Sequence, residues 1–246
     1  MPKRFIDKFD VLLLDMGRTF MFDVDRFSDA DDFAATYRRI GGSTLSDGEV
    51  GRIISTVFDT MLADSRNPNY YDRFPSVLSY LKALPVSQDL PQSEIRLLEY
   101  VFALHEIGTV PDTHVEALHR LRETHRLGVV SNIWSKSDLY VQEFKRTGIH
   151  ELFEVLFFSS DHGRIKPSPS LFLQAIAAFA VDQAKIVFVG DSLKQDIAGA
   201  KAVGLSAVWI GADVNNVDIG GTRPDLVVQD LRELLEPYEG QARSLT

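Results

Sequence analysis

Four short apolar runs in this sequence are each followed by a residue that can do chemistry. Asp15 follows residues 11–14, and Ser131 and Asn132 follow residues 127–130. Lys166 lies a few residues past 155–158, and Gly190 and Asp191 follow 186–189. Separate segments thereby supply two carboxylates, a hydroxyl and an ammonium. A carboxylate just after a buried strand is costly unless it is solvated, paired or metal-bound. Two that converge repel, and a divalent cation together with a lysine offsets that repulsion. Oxygen ligands select a hard cation such as Mg²⁺, which often accompanies phosphate. A carboxylate can attack phosphorus to give an aspartyl phosphate. The equatorial oxygens then need charge neutralisation, which Lys166, Ser131 and the metal are suited to supply.

These residues meet only if the runs are strands ending at one edge of one sheet. Each run is short, rich in Val, Ile, Leu or Phe, and flanked by Gly, Ser, Asp or Asn. Two more of the kind occupy 207–210 and 226–228. The pattern predicts strands buried on both faces of a parallel sheet. Helical patterns at 115–125, 137–147, 168–179 and 196–203 alternate with them. That alternation predicts an α/β sheet with right-handed crossovers, whose ligands bind beyond the carboxyl ends of the strands. Residues 22–108 have a different texture. They lack such runs and carry helix-like stretches at 29–40, 47–63, 76–84 and 92–107, separated by Gly and Pro breaks. Ser46 and Glu49 predict a capping box there. The segment reads as a helical insertion placed directly after the first strand.

Composition narrows the alternatives. The chain has 246 residues, 45% of them hydrophobic and 25% charged, an ordinary balance for a globular protein with a sizeable core. Asp and Glu outnumber Lys and Arg by 35 to 26, giving a net charge of -9. No basic face for nucleic acid is expected. Cysteine is absent, which excludes disulfides, thiolate metal sites and cysteine nucleophiles and suits a cytoplasmic location. The apolar-rich stretch 171–189 is broken by Gln174, Asp182, Gln183 and Lys185, so no membrane span is expected. His114, His119 and His125 do not share a helix face well enough to form a ligand set.

Four short motifs carry a family resemblance. Asp15-Met16-Gly17-Arg18-Thr19-Phe20, Val129-Val130-Ser131-Asn132, Lys166-Pro167-Ser168-Pro169 and the segment opening Val189-Gly190-Asp191-Ser192 resemble, in order, the four motifs of the haloacid dehalogenase (HAD) superfamily. The resemblance implies an α/β fold: a Rossmann-like doubly wound parallel sheet core with an inserted all-helical cap domain. The core would take residues 1–21 and 109–246, and the cap residues 22–108. It implies a Mg²⁺-dependent phosphatase acting on a small phosphorylated metabolite. Asp15 would be nucleophile and metal ligand. Asp191 would be a second ligand, Asp196 a ligand or brace, and the carbonyl of Gly17 would face the metal. Ser131, Asn132 and Lys166 would hold the phosphoryl group, with Lys166 also steadying Asp15.

One departure stands out. Most phosphatases of the family carry a second Asp two residues after the nucleophile as general acid and base. Here that residue is Gly17, and Arg18 replaces the usual next Gly. A positioned general acid is worth about 10²–10⁴-fold in rate. Three other readings follow. A dehalogenase would use Asp15 against carbon, but such relatives lack the acidic fourth motif. C–P bond hydrolases also lack the second Asp, but use a cap lysine as a Schiff base, and Lys82 is the only lysine in 22–108. A chain that binds phosphate without turnover is the third.

Overall fold

The computed structural model describes residues 3–211 and 222–238; the parts of the expected core at 1–2, 212–221 and 239–246 lie outside the described residues. The chain runs β1 (Val11–Leu14), then α1 (Phe33–Arg39), α2 (Asp47–Asp64), α3 (Val77–Ala83), α4 (Gln92–Glu106) and α5 (Asp112–Arg122). It continues β2 (Arg126–Ser131), α6 (Asp138–Thr147), β3 (Phe153–Phe158), α7 (Ser159–His162) and α8 (Pro169–Phe179). β4 (Ile186–Gly190), α9 (Ala198–Ala202), β5 (Ser206–Ile210) and β6 (Leu226–Val228) complete it. The six strands form one parallel sheet in the order β3-β2-β1-β4-β5-β6. The winding reverses at β1 and β4, and in such sheets that reversal opens a crevice at the carboxyl ends of the strands.

Alternation along each strand covers both faces. Leu12, Leu14, Val187 and Val189 face one cluster with Leu118 and Leu121 of α5 and Phe144 of α6. Val11, Leu13, Ile186 and Phe188 face the opposite cluster with Phe172 and Phe179 of α8. The central strands β1 and β4 are buried throughout. The sequence pattern predicts the same for β3 and β6, but these are edge strands and their residues are partly exposed. An edge strand lacks a neighbour on one side, so a continuous apolar run does not ensure burial there.

Helices α1 to α4 build a separate apolar cluster around Tyr37, Ile54, Leu81 and Phe102. Ser46 and Glu49 make the expected reciprocal capping bonds at the start of α2. The chain leaves and re-enters the sheet side by side, since Phe22 and Thr109 exchange two backbone hydrogen bonds of 2.8 Å. Trp134, just beyond β2, packs on the helical cluster with its ring 5.6 Å from that of Phe58. The helices therefore stand against the loops at the carboxyl edge of the sheet.

Candidate active site

Asp15 is placed by the β1 ladder, where its N–H donates to Val189 O at 2.8 Å. The residue is only 6% exposed. Ser131, the last residue of β2, donates through Oγ to Asp15 Oδ1 at 2.8 Å. Lys166 Nζ reaches the same oxygen at 2.5 Å. Among the described residues, Asp15 Oδ2 accepts no hydrogen bond, so one oxygen is anchored and the other is left without a donor. Lys166 also pairs with Asp196 Oδ1 at 2.7 Å. Burial pulls its ammonium down, but Asp15 and Asp196 outweigh burial and hold it above the ordinary lysine value.

Asp196 owes its position to local geometry beyond β4. A π-helical turn, Leu193–Ile197, precedes α9; such turns are rare and gather at functional sites. The sequence pattern predicts an ordinary helix from Asp196, and the structure replaces its start with this wider turn. Asp196 Oδ2 accepts from Ser192 N at 2.9 Å. A Cβ on Gly190 would lie 2.5 Å from that oxygen, so only glycine leaves room for the buried carboxylate. Asp191 is half-buried and its side chain accepts no hydrogen bond among the described residues.

Asp15, Asp191 and Asp196 each offer a carboxylate oxygen within 4.8 Å of the others. Burial, with Asp15 and Asp196 adding, pushes Asp191 above the usual carboxylate range, against the pull of Lys166 and Arg18. Burial pushes Asp196 the same way, opposed chiefly by Lys166. Three carboxylates face one ammonium, and the surplus is negative. An all-oxygen donor set with unspent oxygens and surplus charge fits a hard dication such as Mg²⁺.

Asn132 joins the group through Lys166. Its Oδ1 accepts from Lys166 N at 2.7 Å and its Nδ2 donates to Lys166 O at 3.2 Å. The side chain thus braces the lysine loop, leaving its backbone N–H for a ligand. Gly17 lies in the turn after Asp15, where Arg18 adopts a left-handed φ of 54°. Lys82 is exposed in the last turn of α3 and makes no polar contact with the site. The histidines stay out as well: His114 lies against Phe22, and His125 Nε2 is 3.0 Å from Ile6 O.

Three acids without a motif also matter here. Asp72 accepts from Ser168 and Ser170, two and four residues past Lys166. Backbone bonds from Ile165 to Tyr71 and from Phe74 to Gly163 add to this clamp. Glu106, at the end of α4, accepts from Trp134 N at 2.5 Å, Ser135 N at 2.8 Å and the Ser135 hydroxyl. Asp25 lines a small cavity beside Gly17. No periodicity or short spacing marks these residues, because each acts on a segment distant in sequence.

A family model described as haloacid dehalogenase-like hydrolase matches residues 30–204. The chain is 34% identical over 180 residues to glyceraldehyde 3-phosphate phosphatase of Pyrococcus abyssi, covering 70% of this chain and 73% of that one. It is 33% identical over 121 residues to phosphoserine phosphatase of Thermus thermophilus, about half of each chain at 48%. The crystal structure of a HAD phosphatase from Thermococcus onnurineus superimposes with a TM-score of 0.58 at 27% identity, over 92% of this chain and 95% of that one. The matched length, the sheet order and these relatives together establish that the chain belongs to the haloacid dehalogenase-like hydrolases.

Proposed function

We propose that this hydrolase is a Mg²⁺-dependent phosphatase that cleaves small phosphorylated metabolites through an aspartyl phosphate on Asp15. The observation that carries the reading is the split role of the Asp15 carboxylate. Oδ1 is held by Ser131 and Lys166, while Oδ2 has no hydrogen-bond donor among the described residues. A fixed oxygen that no donor occupies is what nucleophilic attack on phosphorus needs. The phosphatase names of the Pyrococcus and Thermus relatives support the same chemistry. Asp15, Asp191, Asp196 and the Gly17 carbonyl are the groups that would hold the ion. Bound there, a hard dication offsets the charge of the phosphoryl oxygens.

Lys166 places a positive charge beside the attacking carboxylate and the incoming phosphoryl group. Ser131 fixes the carboxylate's orientation. The helical cap excludes water during attack and selects the substrate. The acidic set beyond β4 weighs against a dehalogenase, and the exposed Lys82 weighs against Schiff-base C–P cleavage.

Hydrolysis of p-nitrophenyl phosphate is the test. Turnover is expected with Mg²⁺, to vanish in excess chelator, and to fall more than about 10³-fold in Asp15→Asn. Undiminished turnover in chelator removes the metal, and undiminished turnover in Asp15→Asn removes the nucleophile. A chain that binds Mg²⁺ and phosphate but turns over no ester is the non-catalytic alternative.

A further inference from the structure

Gly17 leaves a gap where a general acid would stand, and the structure shows what borders it. A Cβ on Gly17 would have one neighbour within 4 Å, Val24 Cγ2 at 3.9 Å. Beside it lies a cavity of about 40 Å³ lined by Gly17, Asp25, Glu106, Asn132 and Tyr140, among others. One water needs roughly 10–15 Å³ measured this way, so the cavity has room for water next to Gly17. Two of its walls are carboxylates from outside the four motifs. Glu106 has both oxygens engaged by the Trp134 and Ser135 N–H groups and the Ser135 hydroxyl. Asp25 accepts no side-chain hydrogen bond among the described residues, and it is exposed.

Asp25 is also held firmly. Its φ is 56°, in the left-handed region, which Asp and Asn tolerate better than most residues. Its N–H donates to Glu106 O at 3.0 Å. The next residue, Arg26, fastens the turn by donating to Asp23 O, Ile107 O and Leu104 O at 2.6–2.9 Å. Strained backbone of this kind, kept in place by surrounding bonds, gathers at functional sites.

Building on the phosphatase reading, we propose that Asp25, arriving from the start of the cap, is the catalytic acid and base that Gly17 lacks. In the first half-reaction Asp15 Oδ2 forms a bond to phosphorus and the phosphorus–ester oxygen bond breaks. The leaving oxygen takes that electron pair, and the Asp25 carboxyl gives it the proton, so an alcohol departs. In the second, a water oxygen bonds to phosphorus while the Asp25 carboxylate takes one water proton. The bond to Asp15 breaks with its pair returning to the carboxylate, and inorganic phosphate leaves. Asp25 ends protonated, as it began.

The experiment compares wild type and Asp25→Asn on aryl and alkyl phosphate monoesters with Mg²⁺ present. Asparagine keeps the left-handed turn accessible, and thermal unfolding checks the fold. A nitrophenolate leaves without a proton and an alkoxide does not. In kcat/KM, which reports the first half-reaction alone, the variant should therefore lose less than about threefold on p-nitrophenyl phosphate and about 10²-fold or more on alkyl phosphates. Mg²⁺ affinity by calorimetry should not change. In the Asp25→Asn background, Gly17→Asp should recover alkyl phosphate turnover, because the open space beside Gly17 accepts the side chain. An equal loss of kcat/KM on every ester, a fall in Mg²⁺ affinity, or no loss at all overturns the assignment. If Asp25→Asn fails to fold, Asp25→Glu replaces it, and an unchanged leaving-group dependence in that variant, with its carboxylate displaced by one methylene, likewise overturns the assignment. Wild type active through Asp15 with Asp25→Asn unaffected defeats this inference alone, whereas activity that survives Asp15→Asn defeats the phosphatase reading beneath it.

Discussion

The buried polar groups of the cap and those at the edge of the sheet are satisfied in opposite ways. In the cap, Glu94 accepts from the Tyr37 hydroxyl and from Thr44 Oγ1 at 3.0 Å, and Thr36 Oγ1 meets His105 Nε2 at 2.9 Å. Those donors and acceptors are spent on one another within the same helical cluster. At the sheet edge, Asp15 and Asp196 share the buried Lys166 ammonium, and Asp191 beside them has no ion-pair partner among the described residues. Unspent oxygens and surplus charge are what a ligand can satisfy. A closed hydrogen-bond network gives a ligand nothing to add. Burial of polar groups is therefore no guide to a site by itself; imbalance is.

Matched deletions in the two regions give the largest expected effect. Lys166→Met removes the ammonium paired with Asp15 and Asp196. It should cost roughly 10²–10³-fold in kcat/KM and about 3 kcal/mol of stability, read as a fall in Tm of roughly 6–12 °C. Tyr37→Phe deletes a buried hydroxyl in the cap. It should cost about 1 kcal/mol and leave kcat/KM unchanged. Comparable losses of activity in the two variants would erase the distinction between the regions.

Glu106 joins the regions, since it ends the cap helix α4 and holds the loop after β2. Burial pushes its carboxyl up to about 7, outweighing the donors that pull it down. The folded value lies above the unfolded one, so the protonated form favours folding. That contribution is complete below about 4.5 and is lost as pH rises through about 7. Melting temperatures measured from pH 5 to 8 should fall along this range, and Glu106→Gln should flatten the fall. An identical slope in the variant would show that the cap–loop contact is indifferent to this charge.

The smallest effect tests strain in the nucleophile turn. Arg18 holds a φ of 54°, which costs an L-residue about 1–2 kcal/mol, whereas glycine adopts it freely at some entropic cost. Arg18→Gly should raise Tm by roughly 1–4 °C in thermal unfolding. A lower Tm would mean that the guanidinium's attraction to the surplus carboxylates exceeds the strain it carries.

Much of the framework was legible before the structure. The apolar runs at 11–14 and 186–189 match β1 and β4 closely, because a buried strand in a parallel sheet leaves a continuous hydrophobic signature. The positions behind them, Asp15, Ser131, Lys166 and Asp191, do converge at one edge. Edge exposure in β3 and the π-helical turn before α9 were not legible. Neighbour number and an extra residue in one helical turn leave no mark on apolar periodicity.

The sequence by itself determined the alternation of strand and helix, the inserted helical segment and the motif residues at the strand ends. Those depend on local hydrophobic period and on short spacing within a segment. Only the tertiary structure decided that Asn132 braces Lys166, that Asp72 and Glu106 tie the cap to the loops around the site, and that Asp25 borders the space beside Gly17. Each of these is a meeting of groups 28 to 98 residues apart or across a cavity wall. A side chain's partner at such separation is set by how the packed elements bring distant loops together, and no local pattern encodes it.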